Sequence, residues 1–217
     1  MSFTYGDTKN ILENRRSFLE GLGIDHLSLV CAKQVHANTV RCVTARDAGR
    51  GAKFYDNSFE ATDAFITDAK KLPLAVFTAD CLSIFLYDSV KGAIGLVHAG
   101  WRGTKVGILP RAVELMGKNF GSDPSDISAG FGPCIRQCCY EVKDDLRAFF
   151  GGGVSKRDNR YYLDLPGINK KSLLGMGVKA ANIFDAGECT FCLSKKYFSH
   201  RRESDKAGRM MSVMMLT

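Results

Sequence analysis

Ile11, Leu12, Phe18, Leu19 and Leu22 recur at the spacing of one helix face, with Asp7 or Thr8 able to cap its start and Gly21 and Gly23 to stop it. The pattern then changes. Runs rich in Val, Ile, Leu and Phe at about 27–31, 35–43, 64–67, 74–87 and 93–98 predict strands. After Gly103 the helical spacing returns through Val106, Leu109, Val113, Met116 and Phe120, ending near Gly121, and Pro110 suits the first turn of the regular part. Further on, the chain predicts a strand at 128–131, a turn at Gly132-Pro133, and a short helix over 142–150 closed by Gly151-Gly152-Gly153. A helix at 166–176, a strand at Ile183-Phe184 and an apolar segment at 210–216, suited to a last, central strand, complete the pattern. The sum is a mixed α/β or α+β domain with helices packed outside a layered sheet core.

Composition narrows the class. With 217 residues, 45% of them hydrophobic, the chain can bury a sizeable core, and without repeats or a Pro-rich linker it reads as one domain over 1–217. No apolar run reaches the roughly 18 residues of a membrane helix, because Asp80 interrupts the longest candidate. The start MSFTYGDTKN has neither a basic nor an apolar stretch, which points to the cytoplasm and to eight cysteines kept reduced. The net charge of +7 favours anionic partners. The basic residues are nevertheless scattered in pairs, such as Lys170-Lys171 and Lys195-Lys196, without interleaved aromatics, which argues against a nucleic-acid groove.

Only four histidines are present, His26, His36, His98 and His200. Strand alternation places His36 on the face opposite Val35 and Ala37; taken alone it reads as a core histidine bonded to backbone. Cys81 closes Phe77-Thr78-Ala79-Asp80-Cys81, and His98 stands just before the turn Ala99-Gly100-Trp101-Arg102-Gly103-Thr104. Both fall where strands give way to turns, positions that leave room for a ligand. Singly, Cys81 reads as a small buried hydrophobe and His98 as a structural hydrogen-bonder. Together, two imidazoles and one thiolate form the ligand set of a catalytic zinc with a fourth position open to water, whose pKa such an ion brings down to roughly 7 to 9.

Other residues divide between chemistry and structure. Asp80 points away from Cys81 in a regular strand, which suits an acceptor that orients a loop or a metal-bound histidine; a direct acid–base role requires the strand to break there. Asp63 and Glu141 are weaker acid–base candidates. Arg102 lies in a glycine-flanked turn before a helix, where guanidinium and backbone donors can meet a phosphate or a sugar, the plainer alternative being a salt bridge that pins the turn. Arg201 or Arg202 offers a second anion contact, or else the two form a solvated surface pair. Cys189-Thr190-Phe191-Cys192 has no second CxxC at zinc-ribbon spacing, so these thiols read as structural, and Cys134, Cys138 and Cys139 as packing around the turn after Gly132.

The segments KQVHANTV (33–40), TADC (78–81), HAGWRGT (98–104), GPCI with CYEV (132–142), and FSHRRE with GR (198–209) resemble the ordered motifs of the YfiH-like family. That family is also called laccase-domain, peptidoglycan editing factor or purine nucleoside phosphorylase family. The resemblance implies a layered α/β fold with His36, Cys81 and His98 as metal ligands. It also implies zinc-dependent action on purine nucleosides: phosphorolysis of adenosine, inosine, guanosine and methylthioadenosine by inorganic phosphate, and deamination of adenosine. Relatives carry a further N-terminal strand and loop with an arginine near a glycine pair, whereas this sequence starts almost at Tyr5-Gly6-Asp7. The expectation is that another residue holds phosphate here, or that activity is altered. His200 also stands where the family's FSHRR-type motif has a tyrosine.

Three competing functions remain open at this level. A multicopper oxidase needs around ten imidazoles, more than the four present, although copper can occupy a zinc site adventitiously. A thiol hydrolase or amidase acting on a peptidoglycan precursor would use Cys81 as nucleophile and His98 as base without metal. A non-catalytic nucleotide or RNA binder would account for the charge alone.

Overall fold

The computed structural model describes residues 1–3 and 6–217; Thr4 and Tyr5, and with them part of the Tyr5-Gly6-Asp7 segment, lie outside the described residues. In chain order the elements are α1 (Thr8–Glu20), β1 (Val40–Cys42), β2 (Ala64–Thr67), β3 (Leu74–Thr78), β4 (Leu82–Asp88), β5 (Ala93–Ala99), α2 (Trp101–Lys105), α3 (Ile108–Phe120) and β6 (Ile127–Phe131). There follow β7 (Glu141–Val142), α4 (Asp144–Phe150), β8 (Val154–Arg157), β9 (Arg160–Leu163), α5 (Leu165–Gly175), β10 (Ile183–Asp185), α6 (His200–Glu203) and β11 (Met210–Met214). The fold is mixed α/β, and no described helix is long and apolar enough to cross a membrane.

A six-stranded sheet in the order β1-β2-β5-β4-β6-β10 forms the centre, antiparallel in its middle and parallel at the two outer pairs. All seven residues of β5 are buried, because both faces of the sheet are covered. Ala93, Val97 and Ala99 meet the buried face of α3, built by Ile108, Leu109, Ala112, Val113 and Met116. Ile94 and Leu96 point the other way, into a second cluster with Phe65, Leu74 and Val76. Each fully buried side chain of this size is worth about 1.5–3 kcal/mol, so the sheet is a stiff platform for what stands at its strand ends. His98 continues the Ile94–Leu96 face to the end of β5 and lies opposite Ser83 of β4.

The structure departs from the sequence pattern in ways that build the site. Residues 27–31 form no strand: Asp25 caps a short 3-10 turn at His26–Ser28, and Val30 makes only an isolated bridge to Leu74. The predicted strand at 35–43 shrinks to β1, since His36 has a φ of 61° and the chain bends around Asp63 instead of alternating. The run at 74–87 is two strands in different sheets, broken at Ala79-Asp80-Cys81 where Asp80 adopts a φ of 82°. The C-terminal strand β11 is not central. It pairs antiparallel with β3 in a two-stranded ribbon. The helix from Gly103 onward is likewise two, α2 and α3, separated by left-handed Gly107, which leaves Val106 exposed. A β8–β9 hairpin, turning at Asp158-Asn159 with both φ positive, forms a small sheet with β7 that the apolar pattern did not register.

Candidate metal centre and anion cavity

His36, Cys81 and His98 converge from a bend, a strand break and a strand end. One ligand atom from each lies within 4.8 Å of the other two. His36 Nδ1 is 4.0 Å from Cys81 Sγ, and the two imidazole rings are 4.7 Å apart, edge to face. His98 is buried, Cys81 half-buried and His36 exposed, so the cluster opens outward. Gly100 leaves the space between them clear: a Cβ there would stand 2.8 Å from Cys81 Sγ and 3.0 Å from His36 Nδ1. Soft sulfur and imidazole nitrogen donors in this number fit a zinc-type ion with one position left for solvent or substrate.

Asp63 organises two of the three side chains. Its carboxylate, buried at the head of β2, accepts from His98 Nδ1 at 2.8 Å and from the backbone N–H groups of Val35, His36 and Ala37 at 3.2, 2.9 and 2.9 Å. The bond to Nδ1 leaves Nε2 of His98 for the Cys81 side, the arrangement by which a carboxylate fixes the tautomer of a ligating histidine. Gln34 holds the same bend from the other end, exchanging two hydrogen bonds with the backbone of Phe77 on β3. The acceptor that orients a histidine is therefore Asp63, not Asp80. The sign of it in the sequence was an acid directly before the apolar run Ala64-Phe65-Ile66 that opens β2.

Charge in the cluster is strongly coupled. Burial opposes ionisation of the Cys81 thiol, but His98 and His36 beside it outweigh that and bring it down to about 6. Burial likewise opposes charge on His98, yet Cys81 and Asp63 lift its imidazole to about 9. Asp63 pays the same burial penalty and is still held below the usual carboxylate range by His98 and the N–H groups of Ala37 and His36. Without an ion, the pair is a thiolate facing an imidazolium; a divalent ion takes the place of the proton.

The strand does break at Asp80, as an acid–base role there requires, but its carboxylate is committed elsewhere. It accepts from Thr190 Oγ1 at 2.6 Å, Ser199 Oγ at 3.0 Å and the backbone N–H of Arg201 at 2.6 Å, while its carbonyl accepts from Ile135 N–H at 2.9 Å. Asp80 thus gathers the β6–β7 loop, the β10–α6 loop and the start of α6 beside Cys81. One cavity of about 270 Å³ meets the cluster, lined by His36, Cys81 and His98 with Tyr55, Phe77 and Arg209. A second, of about 280 Å³, reaches His36 and Cys81 past Trp101, Arg102, Tyr140 and Arg201.

Both predicted anion contacts therefore share a cavity with the cluster. Arg102 stacks on Trp101 with its guanidinium carbon 4.4 Å from the ring centre and makes no ion pair among the described residues, so no salt bridge pins that turn. Since α2 is only five residues long, the guanidinium is the stronger attraction for an anion there. The Arg201 guanidinium bonds the Glu141 carbonyl and lies over Tyr140. Arg202 instead bonds the carbonyls of Thr190, Phe191 and Tyr197 and pairs with Glu203, so its guanidinium is the more committed of the two. Burial, with the negative charge at Cys81, pushes the Tyr140 hydroxyl up, so it stays a hydrogen-bond donor. Glu141 is exposed and paired with Arg160. His200, at the start of α6, lines both cavities and bonds the Ser204 carbonyl through Nδ1.

Comparison with known proteins agrees with the motif pattern. The chain is 37% identical over 211 residues to a purine nucleoside phosphorylase YlmD of Bacillus subtilis (strain 168), covering 94% of this chain and 76% of that one. It is 32% identical over 212 residues to an adenosine deaminase RL5 from an unknown prokaryotic organism, with 94% and 80% covered. The crystal structure of a hypothetical protein YfiH of Bacillus licheniformis superposes with a TM-score of 0.94 at 34% identity, over 97% of this chain and 82% of that one. Residues 1–217 match the family model described as multi-copper polyphenol oxidoreductase laccase. The chain therefore belongs to that laccase-like family, the YfiH-like family that its motifs resemble.

Proposed function

We propose that residues 1–217 form one catalytic unit, a zinc-dependent purine nucleoside enzyme that cleaves adenosine, inosine, guanosine and methylthioadenosine with inorganic phosphate and deaminates adenosine. The observation that carries this reading is the open cluster of His36, Cys81 and His98 adjoining a cavity that also holds two arginines and two aromatic rings. The names of the relatives supply the substrate class.

His36, Cys81 and His98 would hold the ion. When bound, zinc supplies Lewis-acid charge that brings the pKa of water toward neutrality. Arg102 and Arg201 would hold phosphate, a planar guanidinium being suited to two hydrogen bonds with its oxygens. Trp101 and Tyr140 wall the same cavity with ring surface that a purine can use. In phosphorolysis a phosphate oxygen bonds to C1′ as the C1′–N9 bond breaks and the base leaves. In deamination water replaces the 6-amino group and ammonia leaves. Asp63 keeps His98 in one tautomer through either reaction, and Asp80 is assigned positioning of the loop that carries Thr190 and Ser199 and of Arg201 at the start of α6. Chromatography of inosine and adenosine incubated with the protein tests the proposal directly. Phosphate-dependent release of hypoxanthine, and conversion of adenosine to inosine without phosphate, are expected; intact nucleosides after incubation with a protein carrying stoichiometric zinc overturn it.

A second reading rests on the coupled Cys81–His98 pair with Asp63 behind it, the order of nucleophile, base and orienting carboxylate in a thiol hydrolase. Chelation separates the two. A metal-stripped protein that loses nucleoside turnover supports zinc, and one that keeps an iodoacetamide-sensitive amidase activity supports the thiol.

A further inference from the structure

The cysteines that the sequence pattern assigned to packing do not all pack. Cys134 and Cys189 are buried, but Cys138 and Cys192 are exposed and Cys139 is half-buried. Cys138 and Cys139 come from the loop between β6 and β7, and Cys189 and Cys192 from the loop between β10 and α6, yet their four sulfurs lie within 4.8 Å of one another. Cys138 Sγ is 3.8 Å and Cys139 Sγ 3.3 Å from Cys192 Sγ. Four thiolates around one tetrahedral zinc, each about 2.3 Å from the ion, stand about 3.8 Å apart. A polynuclear iron–sulfur cluster divides its thiolates among several irons and spreads them wider than this.

From this arrangement we infer that Cys138, Cys139, Cys189 and Cys192 form a second, closed metal centre that holds one structural zinc ion. The missing half of the CxxC signal is thus a vicinal pair some fifty positions upstream. The surroundings suit such a site in charge. Four thiolates and a divalent ion leave an excess charge of about −2, and guanidinium groups hold both cysteine loops. Arg157 bonds the carbonyls of Gln137 and Cys138, Arg202 bonds those of Thr190 and Phe191, and Arg136 reaches the Glu188 carbonyl.

The ion would clip together the two loops that wall the anion cavity. One carries Tyr140, and the other leads to His200 and Arg201. Thr190, between the clipped cysteines, donates to Asp80 beside Cys81, so the clip would bear on the position of the open site without taking part in its chemistry. With four protein ligands it offers no position to substrate.

The test uses the Cys81→Ala protein, in which the open site lacks its thiolate, purified reduced and without chelator. Elemental analysis should find about one zinc per chain, and X-ray absorption at the zinc edge should find four sulfur neighbours at about 2.3 Å. Adding Cys189→Ser and Cys192→Ser should take the zinc to none. Should that protein fail to fold, a mercurial titration of the Cys81→Ala protein should release the one zinc as the thiols are consumed. A metal-free Cys81→Ala protein, nitrogen or oxygen neighbours at the ion, stoichiometric iron in its place, or disulfides among these four cysteines in the reduced protein would each overturn the inference. None of these readouts depends on nucleoside turnover, so failure here and failure of the proposed function are distinct results.

Discussion

Two thiol-bearing clusters sit within reach of the same cavity and differ in almost every physical respect. The His36–Cys81–His98 cluster offers three donors of two kinds, is anchored at a bend, a strand break and the end of buried β5, and borders cavities on two sides. The Cys138–Cys139–Cys189–Cys192 cluster has four ligands of one kind and stands on loops held by arginines. The contrast teaches what separates reactive from structural metal chemistry. An open position and a stiff, carboxylate-oriented frame serve a reaction, while a saturated shell of thiolates between two loops serves position.

The largest expected effect breaks the open cluster alone. Cys81→Ala should take nucleoside turnover to background and remove one ion per chain while the folded circular dichroism spectrum persists; full zinc occupancy at the open site would refute Cys81 as a ligand. The next tests the frame. Asp63→Asn removes the charge that orients His98, so a loss of about 10–100-fold in metal affinity at the open site is expected, with the thiol cluster's ion unaffected. Unchanged affinity would reduce Asp63 to a loop anchor.

A smaller effect concerns substrate. Arg102→Ala should raise the phosphate concentration needed for half-maximal phosphorolysis by about tenfold with kcat little changed, the profile of lost uniform binding. An unaltered profile would return Arg102 to stacking on Trp101. The smallest effect is one of proton count. With Cys81 held to about 6 and His98 lifted to about 9, the ion-free pair between those values is a thiolate and an imidazolium. An ion displaces the His98 proton, so its affinity at the open site should rise with pH up to about 9. Calorimetry in buffers of different ionisation enthalpy should register about one proton released per ion at neutral pH, and no release would contradict the pair.

How much of this was legible beforehand depends on how local each feature is. The helix α1 and the strands β2 and β5 follow from periodicity and caps contained within a few residues, and they match the pattern closely. The apolar run at 74–87 looked continuous because hydrophobicity does not mark where a chain passes from one sheet to another. That passage is decided by the hydrogen bonds Asp80 receives from residues more than a hundred positions away. His36 looked like a strand residue for the same reason, the bend being imposed by Asp63. At the open site the motif order proved informative where spacing was not, since it singled out the three side chains that the fold brings together. The thiol cluster was illegible because a vicinal pair and a CxxC, each common by itself, become a ligand set only once two loops meet.

The central claim is that His36, Cys81 and His98 share one ion, and anomalous diffraction from crystals of the wild-type protein at energies on either side of the zinc edge tests it most directly. The expected result is a zinc-specific peak bonded to Cys81 Sγ and to one nitrogen each of His36 and His98, with a fourth position not filled by the protein. No anomalous density between those three side chains, in crystals grown from protein active on nucleosides, would contradict it.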